Sequence, residues 1–165
     1  MIYAIICLII FTSGYIGRTI SSKYKSREEC FCVLVKFANF LRNNIYHLSD
    51  DVGNIFDKFI LDIQHRHKQD FLQLKQMVLS GGFNMVNMNQ VSLFIELKES
   101  EKQEIYSFFK SLGNSCRESQ VSLIDGFKQE CLRMYDEAVI ANKQRGNIAF
   151  RISISIGVII CILII

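Results

Sequence analysis

Residues 51–63, DVGNIFDKFILDI, decide the fold class. Val52, Ile55, Phe56, Phe59, Ile60 and Ile63 recur at gaps of three and four without a miss, so the large apolar side chains share one stripe of an α-helix. Ser49, Asp50 and Asp51 precede the stripe and offer side-chain oxygens for the unbonded amide groups of its first turn.

The same pattern extends to both sides. Before it, Phe31, Leu34, Phe37, Ala38, Leu41, Ile45 and Leu48 mark an amphipathic helix over 24–48. After it, a shorter helix is predicted over 69–79, with Phe71, Leu74, Met77 and Val78 inward and a stop at Gly81-Gly82. Residues 83–89 are expected as a loop, with Asn89 capping a fourth helix that carries Val91, Phe94, Ile95 and Leu97. Ser100 with Gln103 forms a capping box for a helix using Ile105, Phe108, Phe109 and Leu112, which ends at Gly113. Ser115 with Glu118 opens the last helix. Its inward series is Ile124, Phe127, Cys131, Met134 or Tyr135, and Ala138, continuing toward Asn147. The chain contains no proline, so only caps and glycines end its helices.

Beyond these six stretches lie two apolar ends. Residues 2–17 carry no charge, and Arg18 can snorkel, so a helix over 1–20 reaches the ~20 residues a membrane span needs. Neither the leading basic residues nor the small-x-small site of a cleaved signal is present. Residues 148–165, IAFRISISIGVIICILII, would be about 27 Å long as a helix, slightly short of a ~30 Å hydrocarbon core. An isolated strand there would leave its backbone unsatisfied in lipid, which favours the helix. The expectation is an all-α chain with an N-terminal transmembrane helix at 1–20, a six-helix antiparallel bundle at 21–147 and a C-terminal transmembrane helix at 148–165. Arg18, Lys23, Lys25 and Arg27 follow the first span, and Lys143, Arg145 and Arg151 precede or enter the second. By the positive-inside rule the bundle is cytoplasmic and both termini point outward.

Without Arg18 and Arg151 the rest of the chain has 17 basic and 16 acidic residues, which argues against a nucleic-acid surface. Cys7 and Cys161 lie in the apolar ends. Cys30, Cys32, Cys116 and Cys131 fall in helical patterns as small buried hydrophobes, and Cys30-Phe31-Cys32 lacks the two-residue gap of a zinc or redox motif. His65-Arg66-His67 reads as a solvated helix end and Asp50-Asp51 as caps, with no metal site in either. No phosphate-binding glycine loop, HExxH or Gly-x-Ser-x-Gly motif occurs, and neither a cofactor nor an enzymatic activity is expected.

Residues 108–120, FFKSLGNSCRESQ, followed by a long polar helix and an apolar tail, resemble the stage III sporulation protein AB family of spore-forming Firmicutes. Leu112, Gly113, Ser115 and Gln120 stand at the family's Leu-Gly, Ser cap and Gln, while Cys116 replaces its usual Asp. In the first long helix Asn44 stands where the family tends to carry an acid before Ile-Tyr. The family's following Pro-Leu is missing, so the resemblance is carried mainly by residues 93–165. It implies a non-enzymatic component of the complex joining mother cell and forespore, seated in the mother-cell membrane around the forespore. It also implies likeness to the six-helix cytoplasmic domain of the platform proteins of type II secretion and type IV pilus systems. Implied partners are other membrane proteins of the sporulation channel, a secretion-type ATPase on the cytoplasmic side, and the lipid bilayer, with further copies of the chain left open. Leu112, Gly113, Ser115 and Gln120 are the candidate partner contact, the alternative being that this turn is only a well-capped helix junction. The competing expectation is a membrane-bound helical sensor or an unrelated small membrane scaffold. A sensor needs its bundle outside and an output domain inside, against which stand the basic flanks and the end at Ile165.

Overall fold

The computed structural model describes residues 2–48, 51–112 and 117–164, and all of the regular structure among them is helical. The elements are α1 (Ile2–Leu48), α2 (Val52–Asp62), α3 (His65–Leu79), α4 (Met85–Met88), a 3₁₀ turn (Ser92–Phe94), α5 (Glu99–Ser111), α6 (Arg117–Ala141), a π turn (Asn142–Gly146) and α7 (Asn147–Ile164). They group into two compact units, one of Met1–Glu28 with Asp136–Ile165 and one of Glu29–Tyr135. With neither proline nor a cap between them, the N-terminal apolar segment and the first amphipathic stretch form the single helix α1.

In the unit of Glu29–Tyr135, Asp51 caps α2 by accepting from the Gly53 N–H at 3.1 Å, while Ser49 and Asp50 lie outside the described residues. A Cβ on Gly53 would sit 3.3 Å from Leu79 Cδ1, so the glycine lets the end of α3 approach α2 closely. α3 ends at Gly81, whose φ of +68° is the left-handed conformation that glycine adopts freely.

The core is aromatic. The Phe37 ring on α1 lies 4.8 Å from Phe56, 5.0 Å from Phe59, 5.1 Å from Phe71 and 5.9 Å from Phe109. Phe108 stacks on Phe127 with centroids 3.7 Å apart. One cluster thus joins α1, α2, α3, α5 and α6, each pair adding about 0.5–1.5 kcal/mol beyond its area burial. The expected α6 series holds, with Ile124, Phe127, Cys131, Met134 and Ala138 buried.

Three local expectations are corrected. α3 begins at His65, four residues before the predicted Gln69, because its polar first turn carries no apolar signal. Between residues 83 and 97 the loop and fourth helix are replaced by the single turn α4, capped by Asn84 through the Asn87 N–H at 2.8 Å, and by the 3₁₀ turn. Met88, Val91, Phe94 and Leu97 are buried, whereas Ile95 is 56% exposed. A spacing of three throughout is the period of a 3₁₀ path, and the backbone bonds of Val91, Phe94 and Leu97 run to residues 88, 91 and 94. The third correction is the start of α5. Ser100 lies inside the helix, and the Lys98 N–H donates to Glu101 Oε2 at 2.9 Å, an end sealed by an acid in the first turn rather than by a serine.

In the other unit, the first part of α1 and α7 form an antiparallel hairpin. Ser13 Oγ donates to the Ser153 carbonyl. A Cβ on Gly157 would lie 2.8 Å from Ser13 Oγ, and one on Gly146 would lie 3.6 Å from both Ser21 Oγ and Tyr24 Cβ. Asn142 Nδ2 donates to Glu28 Oε2 at 2.8 Å. Partner numbers rise along one helix as they fall along the other. The seam is Ser13, Gly17 and Ser21 against Ser153, Gly157 and Cys161, small residues one turn apart that let two backbones approach as in membrane helix pairs. Outside the seam, Phe11, Tyr15, Ile16, Ile152, Ile156 and Ile159 are exposed. Among the described residues one continuous helix, Glu118–Ile162, is long and apolar enough to cross a membrane.

Candidate functional site

Where α2 stops at Asp62 and α3 restarts at His65, Ile63 and Gln64 bridge the corner in extended conformation. This corner stands off from α1 and leaves an open cavity of about 560 Å³ within the unit of Glu29–Tyr135. Its floor is Cys32, Val33, Phe40, Phe59 and Ile63, its rim carries the charged Glu29 and Lys36 from α1 and Asp62 and Arg66 from the corner, and the buried His67 completes the lining. Arg66 pairs with Glu29 across the groove. Lys36 is exposed and its ammonium makes no hydrogen bond or ion pair among the described residues. An apolar floor with an unpaired cation on the rim suits a protein segment carrying an apolar anchor and an acid.

His65 and Arg66 are exposed, as expected of a solvated helix end, but His67 is not. With α3 starting at residue 65, His67 falls on the face of Phe71 and Leu74 and is buried. Burial, and next the Arg66 guanidinium, push its pKa below the ordinary 6.5, while Asp70 pulls the other way and Lys36 adds to the lowering. The imidazole is therefore neutral near pH 7. His67 Nδ1 is 3.9 Å from Asp70 Oδ2, and Ser92 Oγ donates to Asp70 Oδ1 at 2.5 Å. The serine is bonded to the carboxylate and not to the imidazole, so these three groups tie the 3₁₀ turn to α3 without activating a nucleophile.

A second buried polar group fixes the same segment. Lys102 Nζ donates to Asn89 Oδ1 at 2.8 Å and to Glu99 Oε1 at 3.0 Å. Asn89, expected as a helix cap, serves instead as the acceptor that makes burial of this ammonium tolerable. The sequence carried no signal for the pairing, because thirteen residues separate the partners and neither side belongs to a motif.

Cys30 and Cys131 are fully buried, and Cys32 is half-buried in the groove. Burial raises the Cys30 thiol well above its ordinary pKa, reinforced by Cys131, Glu101 and Asp70. Burial and Glu130 push Cys131 up to about 12. Both are therefore protonated, poorly nucleophilic thiols at neutral pH. Among the described residues no group of three His, Cys, Asp or Glu side chains is arranged to hold a metal ion.

Of the four residues singled out as a partner contact, Leu112 is 6% exposed and turned into the core, and Gln120 is half-buried on α6. Gly113 and Ser115 lie outside the described residues, as does Cys116.

No curated protein and no solved structure matches the chain. The sequence profile described as stage III sporulation protein AB matches residues 3–165, nearly its whole length, from the seam-bearing start of α1 to the end of α7. The chain therefore belongs to the stage III sporulation protein AB family.

Proposed function

We propose that this member of a sporulation family is a non-enzymatic, membrane-anchored assembly component of a secretion-like complex between mother cell and forespore. The hairpin of α1 and α7 anchors it in the mother-cell membrane, both termini face outward, and residues 29–135 form a cytoplasmic platform-like bundle that receives partner proteins. The observation that carries this reading is the distribution of charge in the hairpin unit. Its seven basic residues, Arg18, Lys23, Lys25, Arg27, Lys143, Arg145 and Arg151, all lie in 18–27 and 143–151, and none in the apolar stretches 2–17 and 152–164. Under the positive-inside rule that basic end is cytoplasmic. The groove at the α2–α3 corner is the surface on which a cytoplasmic partner such as a secretion-type ATPase, or another membrane protein of the channel, would dock.

Lys98 is exposed at the start of α5 and reports the topology. In intact cells, a Lys98→Cys variant with Cys7, Cys32, Cys116 and Cys161 replaced should resist a membrane-impermeant thiol reagent until the cells are permeabilised. Labelling from outside would reverse the topology and favour an extracellular sensor bundle instead.

A further inference from the structure

We propose that one flank of the α1–α7 hairpin is a binding site for an anionic phospholipid, with Arg18 and Arg151 taking the phosphate and the surface over Gly14 taking an acyl chain. The proposal rests on the reading that the hairpin lies in a bilayer.

The register sets Ser13 against Ser153 and Gly157, Ser21 and Tyr24 against Gly146, and Glu28 against Asn142. Arg18 and Arg151 therefore stand at one level. Side chains advance about 100° per residue along a helix. Arg18 follows the buried Gly17 and is turned about 100° from the seam, while Arg151, six residues before the buried Gly157, is turned the equivalent of about 120° forward. The two helices run in opposite directions and face each other across the seam. Forward rotations therefore bring both arginines to the same flank.

Both arginines are exposed, and neither guanidinium has a hydrogen bond or ion pair among the described residues. No Asp or Glu occurs in residues 1–27 or 138–165. The nearest carboxylate along α1, Glu28, is about 15 Å further on and already accepts from Asn142. Two like charges with no counter-ion repel, and a phosphate between them converts that repulsion into two charge-assisted, fork-shaped contacts.

Toward the apolar end, the same construction puts Gly14 and Phe11 of α1 and Ile154 and Val158 of α7 on this flank. Phe11, Ile154 and Val158 are exposed, and a Cβ on Gly14 would meet nothing within 4 Å. Gly14 is thus an open dip one turn from Arg18, bordered by apolar side chains. Paired cations followed by an apolar channel repeat the order of a phospholipid, headgroup and then chain. A soluble anion would use the arginines and leave the channel bare.

The test uses the full chain in phosphatidylcholine vesicles, with spin-labelled phosphatidylglycerol and spin-labelled phosphatidylcholine as probes of motionally restricted lipid. Phosphatidylglycerol should be preferred, and Arg18→Gln with Arg151→Gln should lower that preference about fivefold or more, from roughly a fivefold factor per basic side chain at the surface. Lys23→Gln with Arg145→Gln removes the same charge about 8 Å further along the hairpin and should keep most of the preference. Gly14→Leu changes no charge and should still reduce the restricted phosphatidylglycerol. Equal losses in the two double variants, no preference in the wild type, loss of the preference to excess inorganic phosphate, or indifference to Gly14→Leu would each overturn the proposal. Release of the chain from vesicles by alkaline carbonate would instead sink the membrane reading, and would be seen before any lipid was measured.

Discussion

Gly157 leaves no room for a side chain, because a Cβ there would overlap both Ser13 Oγ and Ser13 Cβ, at 2.8 and 2.9 Å. Gly157→Val should separate the hairpin at a cost of about 1–3 kcal/mol, the usual range for overpacking. The measurement is the distance between spin labels at Ser22 and Arg145 in the membrane-reconstituted chain, which should lengthen and broaden; an unchanged distance would place the seam elsewhere. His67 gives a pH signature with a definite sign. Its folded pKa is depressed, so the unfolded chain binds the proton more readily and stability falls as the pH drops below about 6.5. Urea unfolding at a series of pH values should show that slope, flatter in His67→Gln. The thiols offer a third check. In the native chain Cys32 should react with a thiol reagent before Cys30 and Cys131, which become reactive only on unfolding.

At the scale of elements, the legible parts of the sequence were those where one period runs uninterrupted. Helix α6 buries its expected inward series, and α2 buries Ile55, Phe56, Phe59 and Ile60 of its own. Val52 at the start of α2 is half-buried and Ile63 falls past its end in extended conformation, because a gap pattern of three and four marks the helical face but not where the helix stops. Over 91–97 the sequence points to an α-helix because Phe94 and Ile95 are adjacent apolar residues. An α-helical reading takes both inward, whereas the 3₁₀ path buries one and exposes the other. This difference is measurable. Phe94→Ala should cost about 3–5 kcal/mol, while Ile95→Lys should change stability by no more than about 0.5 kcal/mol. Comparable losses in urea unfolding would restore the α-helical reading. The polar contacts that hold this segment, Ser92 to Asp70 and Lys102 to Asn89, could not be read in advance. They depend on which polar groups the fold happens to bury together, and hydrophobic period carries no information about that.

For the whole molecule, charge is divided between the two units. Residues 1–28 and 136–165 hold seven basic and three acidic residues, a net of +4, so the total of +3 leaves −1 for residues 29–135. The near balance of charge noted from composition thus hides one basic unit and one slightly acidic unit, a division that appears only once the ends of the chain are paired. The groove on the bundle gives a functional prediction. Lys36→Glu should leave stability within about 0.5 kcal/mol because the side chain is exposed and unpaired. It should nevertheless lower spore yield and the recovery of cross-linked partner from sporulating cells. Normal yield with undiminished cross-linking would remove the groove from the assembly.

The π turn at Asn142–Gly146 bears on how the length of this chain can change over evolutionary time. A π turn holds one more residue than an α-helical turn and keeps the helix in phase on either side. Counted as unbroken α-helix, Ser153 would point about 60° from the face of Ala138, and with one residue absorbed it comes back to within about 40° on the other side. Deleting a single residue inside 142–146 would relax the turn to ordinary helix and leave Ser153 and Gly157 on the seam. The same deletion between Asn147 and Ile152 would rotate every later residue by about 100° and turn Gly157 away from Ser13. Natural gain or loss of one residue should therefore collect at this turn, an indel-tolerant joint beside a hairpin whose own length is locked.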